Sequence, residues 1–129
     1  MKEYITLTVD GKSVKIEKGS TLLEAARKAG ADIPTLCHDE RVKPYGACGM
    51  CVVECKGSPK LMRSCAIEAA DGMEIITESD RINRARRFSL EMLLSDHTGD
   101  CKAPCSLACP AGTDCQGYVG LIANGGNAQ

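Results

Sequence analysis

The sequence predicts an α+β fold, and three observations carry the prediction. Residues 3–17 alternate polar and apolar positions on both sides of Asp10-Gly11, a two-residue turn signal, which is the pattern of a β-hairpin. A helix follows. Thr21 with Glu24 has the form of a capping box, Leu22, Leu23, Ala25, Ala26 and Ala29 make an apolar stripe at helical spacing, and Gly30 stands where a C′ glycine belongs. Short strands then resume after a long loop. Two strands and a helix crossing their sheet open a β-grasp.

Each later element has its own signal. Residues 31–51, with Pro34, Pro44, Gly46 and Gly49, read as an irregular loop. Val52-Val53 begins a strand, Gly57-Ser58-Pro59 turns, residues 60–65 return, Asp71-Gly72 turns again, and residues 73–77 form the last strand. Residues 80–95 read as a helix with Ile82, Ala85, Ser89, Met92 and Leu93 on one face. Arg81, Arg84, Arg86 and Arg87 cluster at its start, a pattern that favours a solvated face over a docking patch. Residues 97–118 are rich in Cys, Gly, Pro and Asp, with too few apolar positions for a core. The expected division is a β-grasp domain over 1–79 and, over 80–129, a C-terminal helix plus a cysteine-rich cluster-binding segment that reads as truncated.

Bulk composition narrows the function. The chain has 129 residues, 43% apolar but only 3% aromatic and without Trp, so its core must be aliphatic. Chains this small often need a staple, and metal is one. Sixteen basic against 17 acidic residues leave a net charge of −1, so no global field directs the chain to nucleic acid or an anionic membrane. No apolar run is long enough to cross a bilayer, and residues 1–10 have no signal-peptide pattern, so the cytoplasm is expected. Nine cysteines, odd in number and set in CxxC and CP motifs, then point to metal rather than disulfides.

Cys37, Cys48, Cys51 and Cys65 are spaced C-x10-C-x2-C-x13-C. Four thiolates arriving from a long loop, a CxxC turn and a return strand suit a 2Fe-2S cluster, which takes two soft ligands on each iron. Gly46 and Gly49 let backbone amides approach such a centre closely. Zinc is the chemical rival, but structural zinc usually takes two short pairs and only one is present. A Rieske centre needs two His ligands, and only His38 is nearby. Cys55, on a strand leaving the site, reads as a buried structural thiol.

The stretch CHDERVKPYGACGMCVVEC…RSC resembles the N-terminal ferredoxin domain of the large peripheral subunit of respiratory complex I. The same domain occurs in iron-only hydrogenases and NAD-linked formate dehydrogenases. The resemblance covers about residues 3–78. It implies a 2Fe-2S ferredoxin-like β-grasp with Cys37, Cys48, Cys51 and Cys65 as the cluster ligands. RRFSLEMLLSDHTGDC resembles the segment that follows in those families, a helix leading to a 4Fe-4S cluster with ligands spaced H-x3-C-x2-C-x5-C. His97 and Cys101 match the first two positions, whereas Cys105 comes one residue late. APCSLACPAGTDCQGYVGLIANG resembles the start of the iron–sulfur domain of the glutamate synthase small subunit. There C-x3-C-P begins a domain with two 4Fe-4S clusters, completed by cysteines downstream, and a flavin and NAD(P)H module follows. His97, Cys101, Cys105, Cys109 and Cys115 are thus candidate 4Fe-4S ligands, five donors for a cluster that takes four. One is spare, or they serve two sites completed elsewhere.

The expected function is one-electron relay between a flavin or NAD(P)H module and another redox centre, in contact with a redox partner protein or subunit. No residue reads as a general base or nucleophile, so no catalytic site is expected. Neither a flavin site nor a GxGxxG fingerprint occurs. The chain reads as the N-terminal piece of a longer flavoprotein, or a truncated relative. Three alternatives stand beside the relay: the N-terminal part of an NAD(P)H-dependent flavin oxidoreductase, hydrogenase or formate dehydrogenase subunit; a zinc-stabilised interaction module; and a standalone ferredoxin.

Overall fold

The structure, a computed structural model, describes residues 3–97 and 101–126. Strands β1 (Tyr4–Val9) and β2 (Lys12–Glu17) pair antiparallel, with Val9 opposite Lys12. Asp10 and Gly11 join them at φ 48° and 80°, the two left-handed positions of a type I′ turn. Leu7, Val9, Val14 and Ile16 point into the core.

Helix α1 (Leu22–Lys28) has its first-turn donors satisfied. Thr21 Oγ1 accepts from the Glu24 N–H at 3.2 Å, and the Glu24 carboxylate accepts from the Thr21 N–H at 2.6 Å. The Leu22 and Leu23 N–H groups donate to the carbonyls of Ile67 and Ser64 at 2.9 and 3.0 Å. The helix start is thereby fastened to the segment that holds Cys65. At the other end Gly30, at φ 85°, and Ala31 donate back to Arg27 and Ala26, a Schellman closure.

Strands β3 (Val52–Cys55), β4 (Met62–Arg63) and β5 (Glu74–Ile76) complete a sheet of order β2-β1-β5-β3-β4. β1 and β5 run parallel and the other pairs antiparallel. This is the α+β, β-grasp arrangement. Its core is aliphatic: Leu7, Leu22, Leu23, Val53 and Ile75 are fully buried, each contributing roughly 1.5–3 kcal/mol.

Helix α2 (Asp80–Ser95) starts at Ser79, whose hydroxyl accepts from the Ile82 N–H and donates to Glu54. Ile82 is fully buried. The described residues up to Asp96 form one compact unit and those from His97 on a second, so α2 packs with the sheet, whereas the sequence groups it with the cysteine-rich segment. Only its first half is covered: Met92 and Leu93, on the same apolar face as Ile82, are 54% and 43% exposed. A helix of 16 residues runs about 24 Å. Strand β3, against which it packs, has four residues and runs only about 13 Å. The arginines at its start all find acceptors within the first unit, Pro59 O for Arg81, Asp80 O for Arg84, Glu91 for Arg87, and Val52 O and Thr77 O for Arg86.

The second unit holds α3 (Pro104–Ala108) and α4 (Cys115–Ala123). Asp114 caps α4 by accepting from the Gly117 N–H at 2.9 Å. Neither helix buries a residue, and Leu107, Tyr118, Val119, Leu121 and Ile122 are exposed. No helix among the described residues is long and apolar enough to cross a membrane.

Candidate metal centre

Four cysteines approach one another at the end of the sheet. Cys37 comes from the loop after α1, Cys48 and Cys51 flank the turn that enters β3, and Cys65 follows β4. Cys51 and Cys65 are 1% exposed, while Cys37 and Cys48 are half-buried. The backbone around them is tied together. Ser64 sends both its N–H and its hydroxyl to the Cys51 carbonyl, at 3.2 and 2.7 Å. Gly49 has φ 71°, and a Cβ there would lie 2.7 Å from the Ser89 hydroxyl on α2. Gly46 has φ 68°, and a Cβ would stand 3.2 Å from the Ala66 methyl. Both positions need the close approach that only glycine allows.

The thiols perturb one another in a definite pattern. Burial pushes Cys48 up, but the N–H groups of Met50 and Cys37, the Cys37 side chain and the N–H of Leu36 outweigh it and hold the thiol below its ordinary value. Cys65 is pushed up to about 12, first by burial, then by a hydrogen bond with the Cys51 sulfur and by the charges of Cys51, Cys37 and Cys48. By these mutual effects the thiols divide into two neighbouring pairs, Cys37 with Cys48 and Cys51 with Cys65, and Cys65 feels the charges of all three others. No three His, Cys, Asp or Glu side chains among the described residues gather as a site for a single metal ion. Two adjacent pairs of soft donors, with N–H groups aimed at the sulfur of one pair, fit a two-iron centre.

Sequence reasoning missed three contributors. Ser64 bridges to the Cys51 carbonyl, Ser89 abuts the CxxC turn, and Arg86 donates from Nη2 to the carbonyls of Val52 and Thr77 at 3.0 and 3.1 Å. Arg86 had a signal: it lies four residues after Ile82 and three before Ser89, hence on the inward face. Cys55 is half-buried on β3, its thiol 3.8 Å from the Lys56 carbonyl.

In the second unit the structure brings together Cys105 and Cys115. Burial, the Cys105 charge and a hydrogen bond between the two thiols push Cys115 up. Cys109 is turned into its own loop, where the Thr113 hydroxyl and the N–H groups of Thr113, Ala111 and Gly112 hold its thiol below the usual range. Cys101 and His97 are exposed. The Gln116 side chain clasps residues 101–103, donating to Cys101 O at 3.1 Å and accepting from the Ala103 N–H at 3.0 Å.

Fold and site together define a ferredoxin-like iron–sulfur domain, whose work is electron transfer. The chain belongs to the family of 2Fe-2S iron–sulfur cluster binding domains, which matches residues 2–80. It is 40% identical over 111 residues to the mitochondrial NADH-ubiquinone oxidoreductase 78 kDa subunit of Candida albicans, covering 86% of this chain and 15% of that one. It is 38% identical over 111 residues to the NADPH-Fe(3+) oxidoreductase subunit alpha of Geobacter sulfurreducens, covering 86% of this chain and 13% of that one. Among solved structures, an NAD+-reducing NiFe hydrogenase in the H2-reduced state superposes with a TM-score of 0.67 at 35% identity, over 96% of this chain and 50% of that chain. The chain thus spans a small part of the length of these sequence relatives.

Proposed function

We propose that Cys37, Cys48, Cys51 and Cys65 hold the 2Fe-2S cluster, Cys37 and Cys48 on one iron and Cys51 and Cys65 on the other. The observation that carries this assignment is the convergence of the two segments that bear the cysteines, with Ser64, next to Cys65, bonded twice to the Cys51 carbonyl and the thiols perturbing one another as two neighbouring pairs. The bound cluster supplies reversible one-electron chemistry. The chain's residues bury Cys51 and Cys65 and aim the Leu36, Cys37 and Met50 N–H groups at Cys48. Ser64 fixes the backbone between the pairs. These contacts shield the centre on one side and stabilise negative charge on its sulfurs.

The partner in this reading is a redox subunit of a nicotinamide-linked oxidoreductase. The names of the relatives support it, since they are subunits of NADH- and NADPH-dependent oxidoreductases and an NAD+-reducing hydrogenase. The domain relays single electrons between a flavin or NAD(P)H module and another centre. A reducing, cytoplasmic setting suits nine free cysteines. The second unit extends the relay with a 4Fe-4S cluster, for which the neighbouring Cys105 and Cys115 supply a first pair and Cys101, Cys109 and His97 the remaining candidates. A unit whose helices bury no side chain gains from such a centre the interior it lacks.

Iron and acid-labile sulfide per chain, with EPR after reduction, test the assignment. About two irons with a rhombic signal are expected from the first site alone, and about six if the second unit is also loaded. Cys37→Ser or Cys65→Ser removes the 2Fe-2S signal. An iron-free, zinc-loaded chain that fails to reconstitute with iron and sulfide overturns the reading.

A further inference from the structure

We propose that Arg86 sets the reduction potential of the cluster, its guanidinium acting as a fixed positive charge held by α2 against the main chain that leaves Cys51. The proposal rests on the assignment of the cluster to the four cysteines above, and its footing is geometric. Three contacts lock α2 over the site: the Ser79 cap, the buried Ile82 and Ser89 against Gly49. From that helix Arg86 donates from Nη2 to Val52 O, one residue beyond Cys51, and to Thr77 O. Its Nε is buried and has no partner among the described residues.

An arginine serving only to fasten a helix to two neutral carbonyls would bury a charge with little to offset it. The charges that Arg86 does feel are those of the Cys51 sulfur and of Glu78 on the exposed side. Arginine stays protonated throughout the accessible pH range. An iron–thiolate centre is anionic, and reduction adds one electron and hence one negative charge, with no bond made and no proton moved. A fixed cation nearby favours the more negative state, so it raises the potential. Glu78 works against it.

The experiment is an EPR-monitored redox titration of the full chain carrying its cluster, with dithionite as reductant, alongside iron and sulfide analysis. In Arg86→Gln the potential becomes more negative. Poised at the wild-type midpoint, the ratio of reduced to oxidised cluster falls roughly tenfold, a shift of about 59 mV for a one-electron couple. Arg86→Lys, which keeps the charge, returns most of that shift. Glu78→Gln moves the potential the other way. An unchanged potential in Arg86→Gln at full cluster content overturns the proposal and leaves Arg86 a fastener. If Arg86→Gln loses its cluster, Glu78→Gln decides: a positive shift supports the proposal and no shift overturns it. A wild-type chain without iron and sulfide instead overturns the cluster assignment itself.

Discussion

The Ser64 hydroxyl donates a 2.7 Å hydrogen bond to the carbonyl of Cys51, and the Ser64 carbonyl accepts from the Leu23 N–H at 3.0 Å. One buried residue therefore joins the CxxC turn, the Cys65 segment and the first turn of α1. Ser64→Ala leaves the Cys51 carbonyl with only the longer backbone bond. The expected loss is about 1 kcal/mol of apoprotein stability together with faster iron release, read by urea unfolding and by chelator challenge.

Gly49 combines a left-handed backbone with contact against Ser89. Gly49→Ala is expected to cost about 1–3 kcal/mol and to lower cluster content. The double variant Gly49→Ala with Ser89→Gly recovers the part due to the clash but not the part due to φ. Comparing iron content and Tm of the two separates these contributions.

The raised Cys65 thiol makes the apoprotein sensitive to alkali. Its value in the folded chain, about 12, lies above the ordinary 9.0, so the folded state keeps a proton that the unfolded chain gives up. Stability from this group is whole below pH 9.0 and is lost as pH rises toward 12. The slope is at most about 1.4 kcal/mol per pH unit. Cys48, held low, shifts stability the opposite way, but that contribution is complete above its ordinary 9.0. Urea unfolding of reduced apoprotein across this window is expected to show the decline, and Cys65→Ala to flatten it. Under the proposed ligation bound iron keeps the Cys65 thiolate deprotonated, so the loaded protein is expected to lack this slope.

Ile82 sets how far the first unit extends. A chain ending after Asp96 is expected to keep the stability of the first unit. One ending after residue 79 loses Ile82 and Arg86, and Ile82→Ala alone is expected to cost about 2–5 kcal/mol. Thermal unfolding of the three variants checks the ranking.

Local chemistry was legible in the sequence. Asp10-Gly11 shows its turn, and Thr21 with Glu24 shows its cap, because the interacting groups lie within a few residues. Cys37, Cys48, Cys51 and Cys65 stand out in the sequence because ligand spacing is itself a pattern, and it is on them that the proposed cluster rests. Arg86 and Ser64 were not read as part of the site, since their partners lie 34 and 13 residues away. Met92 and Leu93 show a third limit: periodicity marks an apolar face without saying how much sheet lies beneath it.

The docking of α1 onto the Ser64 and Ile67 carbonyls has a dynamic consequence. The helix, the Cys65 segment and the CxxC turn are tied into one frame, so under the proposed ligation a charge arriving at the thiolates meets dipoles already set in place. The surroundings need little rearrangement each time an electron enters or leaves. A low barrier to transfer in both directions is the expected consequence, which suits a conduit rather than a store.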